Sequence, residues 1–377
     1  MTRIAFGDDA WDELARRLAG GRLPAFPFAD RWTFGTGLDV VREVVSRWSG
    51  ELDREAFEDR INAHPYEEVT IGGVTTGVYH LRGEAPGALP LVLTHGWPST
   101  VLENLRLADV LAHPGRYGAD PGDAFDVVVP ALPGFPLADA PADPAAYGGA
   151  AIADRWAALM TACGHGRFVA SGGDIGARVT AWLGARHPDR VLGIHVSSNA
   201  LWPALPGHDL TRDEAAWVDE REEWMRTEAG YIHLQGTKPL SLAYGLSDSP
   251  AALAAWIVEK WAAWTATDDV VARFGADLTD QLTLYWLTNR IATSFLPYYA
   301  STHLPGSRAW GLDIAAPVSF YLCPDEIGGI PPRRYAERQF RIARWTEFGS
   351  GGHFPAVEQP DVLAADIRDA FRSLRVS

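Results

Sequence analysis

Cysteine and lysine are nearly absent from this chain. Its two cysteines, Cys163 and Cys323, lie far apart with no neighbours at metal-ligand spacing, which argues against a disulfide framework or a cysteine-built metal centre. Its lysines are also two, Lys238 and Lys260, and the formal charge is −15, so no basic patch offers itself to nucleic acid or to an anionic membrane surface. No apolar run approaches the length of a bilayer span. The opening "MTRIAFGDDAWDELARRLAG" places acids inside an amphipathic pattern where a secretion signal would need an apolar core. Internal repeats and low-complexity tracts are missing as well. A cytoplasmic protein without a membrane anchor is expected, and the Arg- and Ala-rich, Lys-poor composition points to a GC-rich bacterial genome.

What the chain has in quantity is apolar and aromatic weight: 47% hydrophobic residues, with 15 Trp, 11 Tyr and 15 Phe among 377. That is enough for a large core and more rings than one average domain needs, and most of them are expected to pack that core. Short runs rich in Val, Ile and Phe recur at "LPLVLTH" (Leu89 to His95), "FDVVVPAL" (Phe125 to Leu132), "RFVAS" (Arg167 to Ser171), "VLGIHVSS" (Val191 to Ser198) and "PVSFYLC" (Pro317 to Cys323). Continuous apolar runs of this length suit strands buried on both faces. Helical stretches such as "AIADRWAALMTAC" and "GARVTAWLGARHP" separate several of them, which predicts an α/β protein with a mostly parallel central sheet flanked by helices.

Two regions depart from that alternation. Residues 1–88 carry helical segments and a β-like "EEVTIGGVTTGVYHL", read as an N-terminal extension leading into the sheet. Residues 201–305 are helical and rich in Trp, with no buried strand pattern, and read as an inserted cap. The core is then expected in two pieces, 89–200 and 306–377.

The stretch that bears most on chemistry is Arg167 to Val179, "RFVASGGDIGARV". A strand that turns sharply into a helix between small residues exposes the side chain at its apex, the frame in which serine hydrolases hold their nucleophile. Here the frame is Gly172-Gly173-Asp174-Ile175-Gly176, so the apex is a carboxylate. A helix capped by its own aspartate would explain the turn equally well. Ser171 is not a substitute, because Val169 stands where that frame requires a small residue.

A carboxylate nucleophile attacks saturated carbon and leaves an alkyl ester, which an activated water must then cleave. The second step needs a base, an acid to orient it and an oxyanion hole. The tail contains "CPDEIGG" and then "GSGGHFPAVEQP", giving the order nucleophile, acid, histidine, with His353 as base. Asp325 and Glu326 are adjacent, and spacing does not choose between them. Backbone N–H groups of Ile175 and of Trp97, in "THGWPST", are the expected oxyanion donors, with His95 shaping that loop.

"HGWP", "GGDIGARVTAWLGARHPDRVLGIH" and "GGHFPAVEQPDVLAADIR" resemble the microsomal-type epoxide hydrolases of the α/β-hydrolase fold, and "WTFGTGLDVVREVVSRW" resembles the N-terminal domain of that family. The resemblance implies Asp174 as nucleophile, Glu326 as acid and His353 as base. It also implies two cap tyrosines over the nucleophile, Tyr231 in "GYIHLQGTKP" and Tyr298 in "ATSFLPYYAS", the latter beside Tyr299. The implied partners are a small apolar epoxide and water, with a homodimer compatible and no cofactor or metal called for. Ile175 departs from the Trp usual after the nucleophile. A haloalkane dehalogenase would use the same elbow but commonly takes a halide donor from that Trp. A ligand-binding protein that kept the fold without its chemistry is the non-catalytic alternative.

Overall fold

The computed structural model describes residues 2–28, 30–197, 209–304 and 311–375. Its sheet contains β1 (Tyr66–Ile71), β2 (Val74–Leu81), β3 (Leu89–Thr94), β4 (Phe125–Pro130), β5 (Phe168–Gly172), β6 (Val191–Val196), β7 (Val318–Leu322) and β8 (Ile342–Glu347), in the spatial order β1-β2-β4-β3-β5-β6-β7-β8. The β1–β2 and β2–β4 pairings are antiparallel and all others parallel. The β1–β2 hairpin turns on Gly72 and Gly73, both at positive φ, the backbone that a two-residue turn between right-twisted strands demands.

Two cores flank the sheet because side chains alternate along each strand. Leu91, Val127 and Val169 point to one face, where they meet Leu107, Leu111 and Ile367 of the helices Leu105–Ala112 and Pro360–Phe371. Val92, Val128 and Ala170 point to the other, against Trp156 and Val179 of the helices Gly149–Ala162 and Asp174–Arg186. β5 and β7 are buried throughout, which is why their sequences read as unbroken apolar runs.

The strand at 342–347 was not anticipated. It is an edge strand with no fully buried residue and carries Arg344 and Glu347, so it has neither an apolar run nor clean alternation. The run expected from Val191 to Ser198 forms a strand only to Val196, and Ser198 lies outside the described residues, as do 201–208 and 305 at the two ends of the expected helical insertion.

Between those ends, seven helices run from Arg212 to His303. The first, Arg212–Thr227, is started by a capping box in which Thr211 and Glu214 satisfy each other's backbone N–H groups. The N-terminal segment does more than lead into the sheet: it supplies β1 and β2, and its helix Leu38–Gly50 packs against the helices Pro250–Trp264 and Val270–Thr288. Trp48 is fully buried at that seam and donates its indole N–H to Thr283 Oγ1 at 2.8 Å. Trp48→Ala should therefore destabilise the chain by about 3–5 kcal/mol in equilibrium denaturant unfolding. A loss below about 1 kcal/mol would mean that the N-terminal helices are only loosely attached.

Candidate active site

β5 ends at Gly172, and Asp174 opens the following helix at φ +48°, a left-handed backbone that a non-glycine residue adopts only when its surroundings enforce it. Three glycines provide the enforcement by letting two loops close on each other. A Cβ on Gly172 would lie 2.6 Å from the carbonyl carbon of Gly176, one on Gly176 2.1 Å from the Thr94 carbonyl oxygen, and one on Gly96 2.4 Å from Asp174 Cβ. Any side chain at these positions would force the elbow away from the end of β3.

That closeness brings the expected residues together. The Trp97 N–H donates to Asp174 Oδ1 at 2.9 Å. Asp174 Oδ2 lies 3.7 Å from His353 Nε2, and His353 Nδ1 lies 3.0 Å from Glu326 Oε1. With a carboxylate as its partner, Nδ1 carries a proton and Nε2 faces Asp174. Glu326 is buried and Asp325 exposed, so geometry separates two residues that spacing left equivalent. His353 is fixed from both sides, its N–H donating to the Trp264 carbonyl at 2.7 Å. Burial by itself would depress the imidazole pKa, but the carboxylates of Glu326, Asp174 and Glu103 outweigh it and raise the pKa to about 9.

The helical block roofs this floor with rings. Trp97 stacks on Tyr231 with centroids 5.5 Å apart and meets Tyr298 edge-on at 5.9 Å, while the two tyrosines contact each other at 5.8 Å. Both phenols are held protonated, their pKa values pushed far up by burial and then by the charge of Asp174. The Tyr298 hydroxyl and the Trp97 indole N–H are buried with no hydrogen-bond partner among the described residues. Tyr299 turns elsewhere, its ring against His303 at 4.3 Å. Ile175 is buried directly after Asp174.

His95 is a loop-shaping residue, as anticipated: Nε2 accepts from the Leu132 N–H at 3.1 Å, Nδ1 faces the Gly96 carbonyl, and burial lowers the pKa to about 4. A second Ser, His and Asp chain, Ser171 to His195 to Asp366, is hydrogen-bonded at 3.1 Å at each link but is wholly buried, and it ties β5 and β6 to the C-terminal helix. Sequence reading did not single out Glu103, Glu358 or Arg221. Glu103 accepts a hydrogen bond from Ser99, and burial pushes its carboxyl up to about 7; its place four residues after Ser99, in the loop that carries Trp97, was the available signal. Glu358 accepts from the backbone N–H groups of Gly352 and Phe354 and so shapes the loop that carries His353. Arg221, buried in the helical block, donates to the Ile327 carbonyl beside Glu326.

Comparison with known proteins agrees with this fold. Residues 1–104 match the epoxide hydrolase N-terminus family, and residues 90–241 match the alpha/beta hydrolase fold family. A candidate epoxide hydrolase of Stigmatella aurantiaca is 35% identical over 99% of this chain and 84% of its own length. Epoxide hydrolase 1 of Sus scrofa is 25% identical over 97% of this chain and 87% of its own. Among solved structures, juvenile hormone epoxide hydrolase of Bombyx mori has a TM-score of 0.87 at 25% identity, covering 100% of this chain and 94% of that one. The Aspergillus niger epoxide hydrolase has a TM-score of 0.86 at 25% identity, covering 99% and 95%. The mostly parallel sheet and the N-terminal segment are thus parts of one known architecture, and the chain belongs to the epoxide hydrolase family on the α/β-hydrolase fold.

Proposed function

We propose that this epoxide hydrolase converts a small apolar epoxide to a vicinal diol in two covalent half-reactions, with Asp174 as nucleophile, His353 and Glu326 as base and acid, and Tyr231 and Tyr298 as proton donors. The observation that carries the reading is the partnerless Tyr298 hydroxyl, buried beside Tyr231 over a carboxylate whose other oxygen rests on a backbone N–H. A buried hydroxyl without a partner is costly, and an incoming acceptor oxygen relieves that cost.

In the first half-reaction Asp174 Oδ2 forms a bond to an epoxide carbon as the ring C–O bond breaks. The leaving alkoxide takes a proton from a tyrosine, for which two protonated phenols stand ready. In the second, His353 removes a proton from water, and the hydroxide attacks Cγ of the ester. The oxyanion develops on Oδ1, where the Trp97 N–H already points, with the Ile175 N–H as second donor. The Cγ–Oδ2 bond then breaks, and Oδ2 departs on the alkyl carbon as the second diol hydroxyl, taking the proton that the attacking hydroxide carried onto the regenerated carboxyl. The imidazolium proton returns through the site to the phenolate, so epoxide and water balance the diol.

Alkylation also prepares the second step. The Asp174 charge is one of those that raise the His353 pKa, and esterification removes it. The imidazole shifts toward its neutral form when a base is needed.

The buried rings of Trp97, Tyr231, Trp264 and Phe295 pack together beside Asp174, and such apolar surroundings favour aryl or long alkyl substituents over polar ones. No helix among the described residues is long and apolar enough to cross a membrane, and the acidic chain suits a bacterial cytoplasm.

Blocking the base should separate the half-reactions. His353→Gln mixed with styrene oxide should gain one substrate mass in intact-protein mass spectrometry and turn over at least ~10³-fold more slowly, whereas Asp174→Ala should gain none. An adduct on Asp174→Ala would remove the assignment. The tyrosines act only on ring opening, so Tyr231→Phe and Tyr298→Phe should each slow alkylation by ~10²-fold or more while leaving hydrolysis of preformed ester unchanged in rapid-quench measurements. Damage from Tyr299→Phe in place of Tyr298→Phe would contradict the assignment, and bromide release from a bromoalkane at a comparable rate would favour halide chemistry.

A further inference from the structure

At the end of the sheet opposite the elbow, a second group of titratable side chains is unused by the chemistry above. His80 near the end of β2, Asp126 near the start of β4 and His165 in the turn before β5 converge there, with Glu67 of β1 and Cys163 at the margin. Asp174 follows the carboxyl end of β5, whereas Asp126 and His165 lie at the amino ends of parallel strands, so the body of the sheet separates the two groups.

The distances among these atoms are unusual for hydrogen bonds. His80 Nε2 stands 3.3 Å from Asp126 Oδ1, and His165 Nε2 stands 3.4 Å from Asp126 Oδ2. All three of His80 Nε2, Asp126 Oδ1 and His165 Nε2 are buried without a hydrogen-bond partner, although each sits beside a potential one. His80 is 7% exposed, so its orphaned nitrogen has no ready access to water. Metal ligation accounts for such spacing. Zinc bonds of about 2.0–2.2 Å to imidazole nitrogen and carboxylate oxygen hold neighbouring ligand atoms about 3.3 Å apart at tetrahedral angles.

We propose that His80, Asp126 and His165 bind a single zinc(II) ion that clips β2, β4 and the turn before β5 together. The donor set, two imidazoles and one carboxylate, is of the kind zinc selects, and a magnesium or calcium ion would require an oxygen shell. His80 Nδ1 faces Glu67 Oε1 at 3.8 Å, so a further carboxylate stands beside the ring, outside the three ligands. Arg82 also holds Asp126 Oδ2, at 2.9 Å, but its side chain is mostly exposed and can yield that oxygen. The three ligands come from distant points in the chain, so an ion bound only by the folded form stabilises it by mass action.

The test uses the full chain, dialysed against EDTA and then titrated with zinc chloride by calorimetry and thermal unfolding. Wild type should bind about one equivalent and gain roughly 3 °C or more in Tm at a hundredfold excess over Kd. His165→Ala and Asp126→Asn should each weaken binding by ~10²-fold or more, and either variant suffices if the other does not fold. The absence of saturable binding to wild type up to about 100 times a micromolar Kd would overturn the proposal, as would zinc affinity in both folded variants equal to that of wild type.

Discussion

Asp174, His353 and Glu326 form a charge cluster that must be kept out of bulk water and yet remain paired, and much of the fold answers to that requirement. Moving each ion inward costs several kcal/mol before its partner repays it, and repayment depends on geometry. The geometry here is drawn from separate segments: the elbow after β5, the turn after β7 and the loop after β8. Backbone contacts hold each in place, with the Trp97 N–H on Asp174, the Gly351 carbonyl accepting from the Asp325 N–H, and the Trp264 carbonyl accepting from the His353 N–H. The last of these matters most for coupling, because Trp264 belongs to the helical block. The roof of the site therefore holds His353 in place.

The same helical block depends on the N-terminal segment. Trp48 reaches across to Thr283, Thr36 donates to the Ala255 carbonyl at 2.7 Å, and Arg17 pairs with Asp248. A helical insertion that only rested on the sheet could open freely. One braced from behind by Arg17, Thr36 and Trp48 holds Tyr231 and Tyr298 against Trp97, the preorganisation that the proposed hydrogen-bond catalysis requires.

The central strands, the elbow and the chain order of acid and histidine were legible because each rests on local chemistry. Buried parallel strands write continuous apolar runs, and a sharp strand-to-helix turn writes glycines. The edge strand β8 was not legible, since a half-exposed strand is under no pressure to be apolar. Asp325 and Glu326 could not be ranked by spacing, because which of two neighbours faces inward depends on the turn that carries them. Tyr298 and Tyr299 posed the same difficulty on a helix, where adjacent residues point about 100° apart and only the packing partner decides. Glu103 and Glu358 escaped notice for a different reason: they act on backbone and hydroxyl groups near the site, and no motif spacing marks such support.

The central claim is that a bond forms between Asp174 and substrate carbon before water enters the product. A single turnover with enzyme in excess, in water enriched in oxygen-18, tests it through the mass of the first diol released. The covalent route places an unlabelled carboxylate oxygen in that diol and leaves the label on Asp174, to appear in product only on later turnovers. Full incorporation of label into the first diol would show that water attacks the epoxide directly, and would contradict the account.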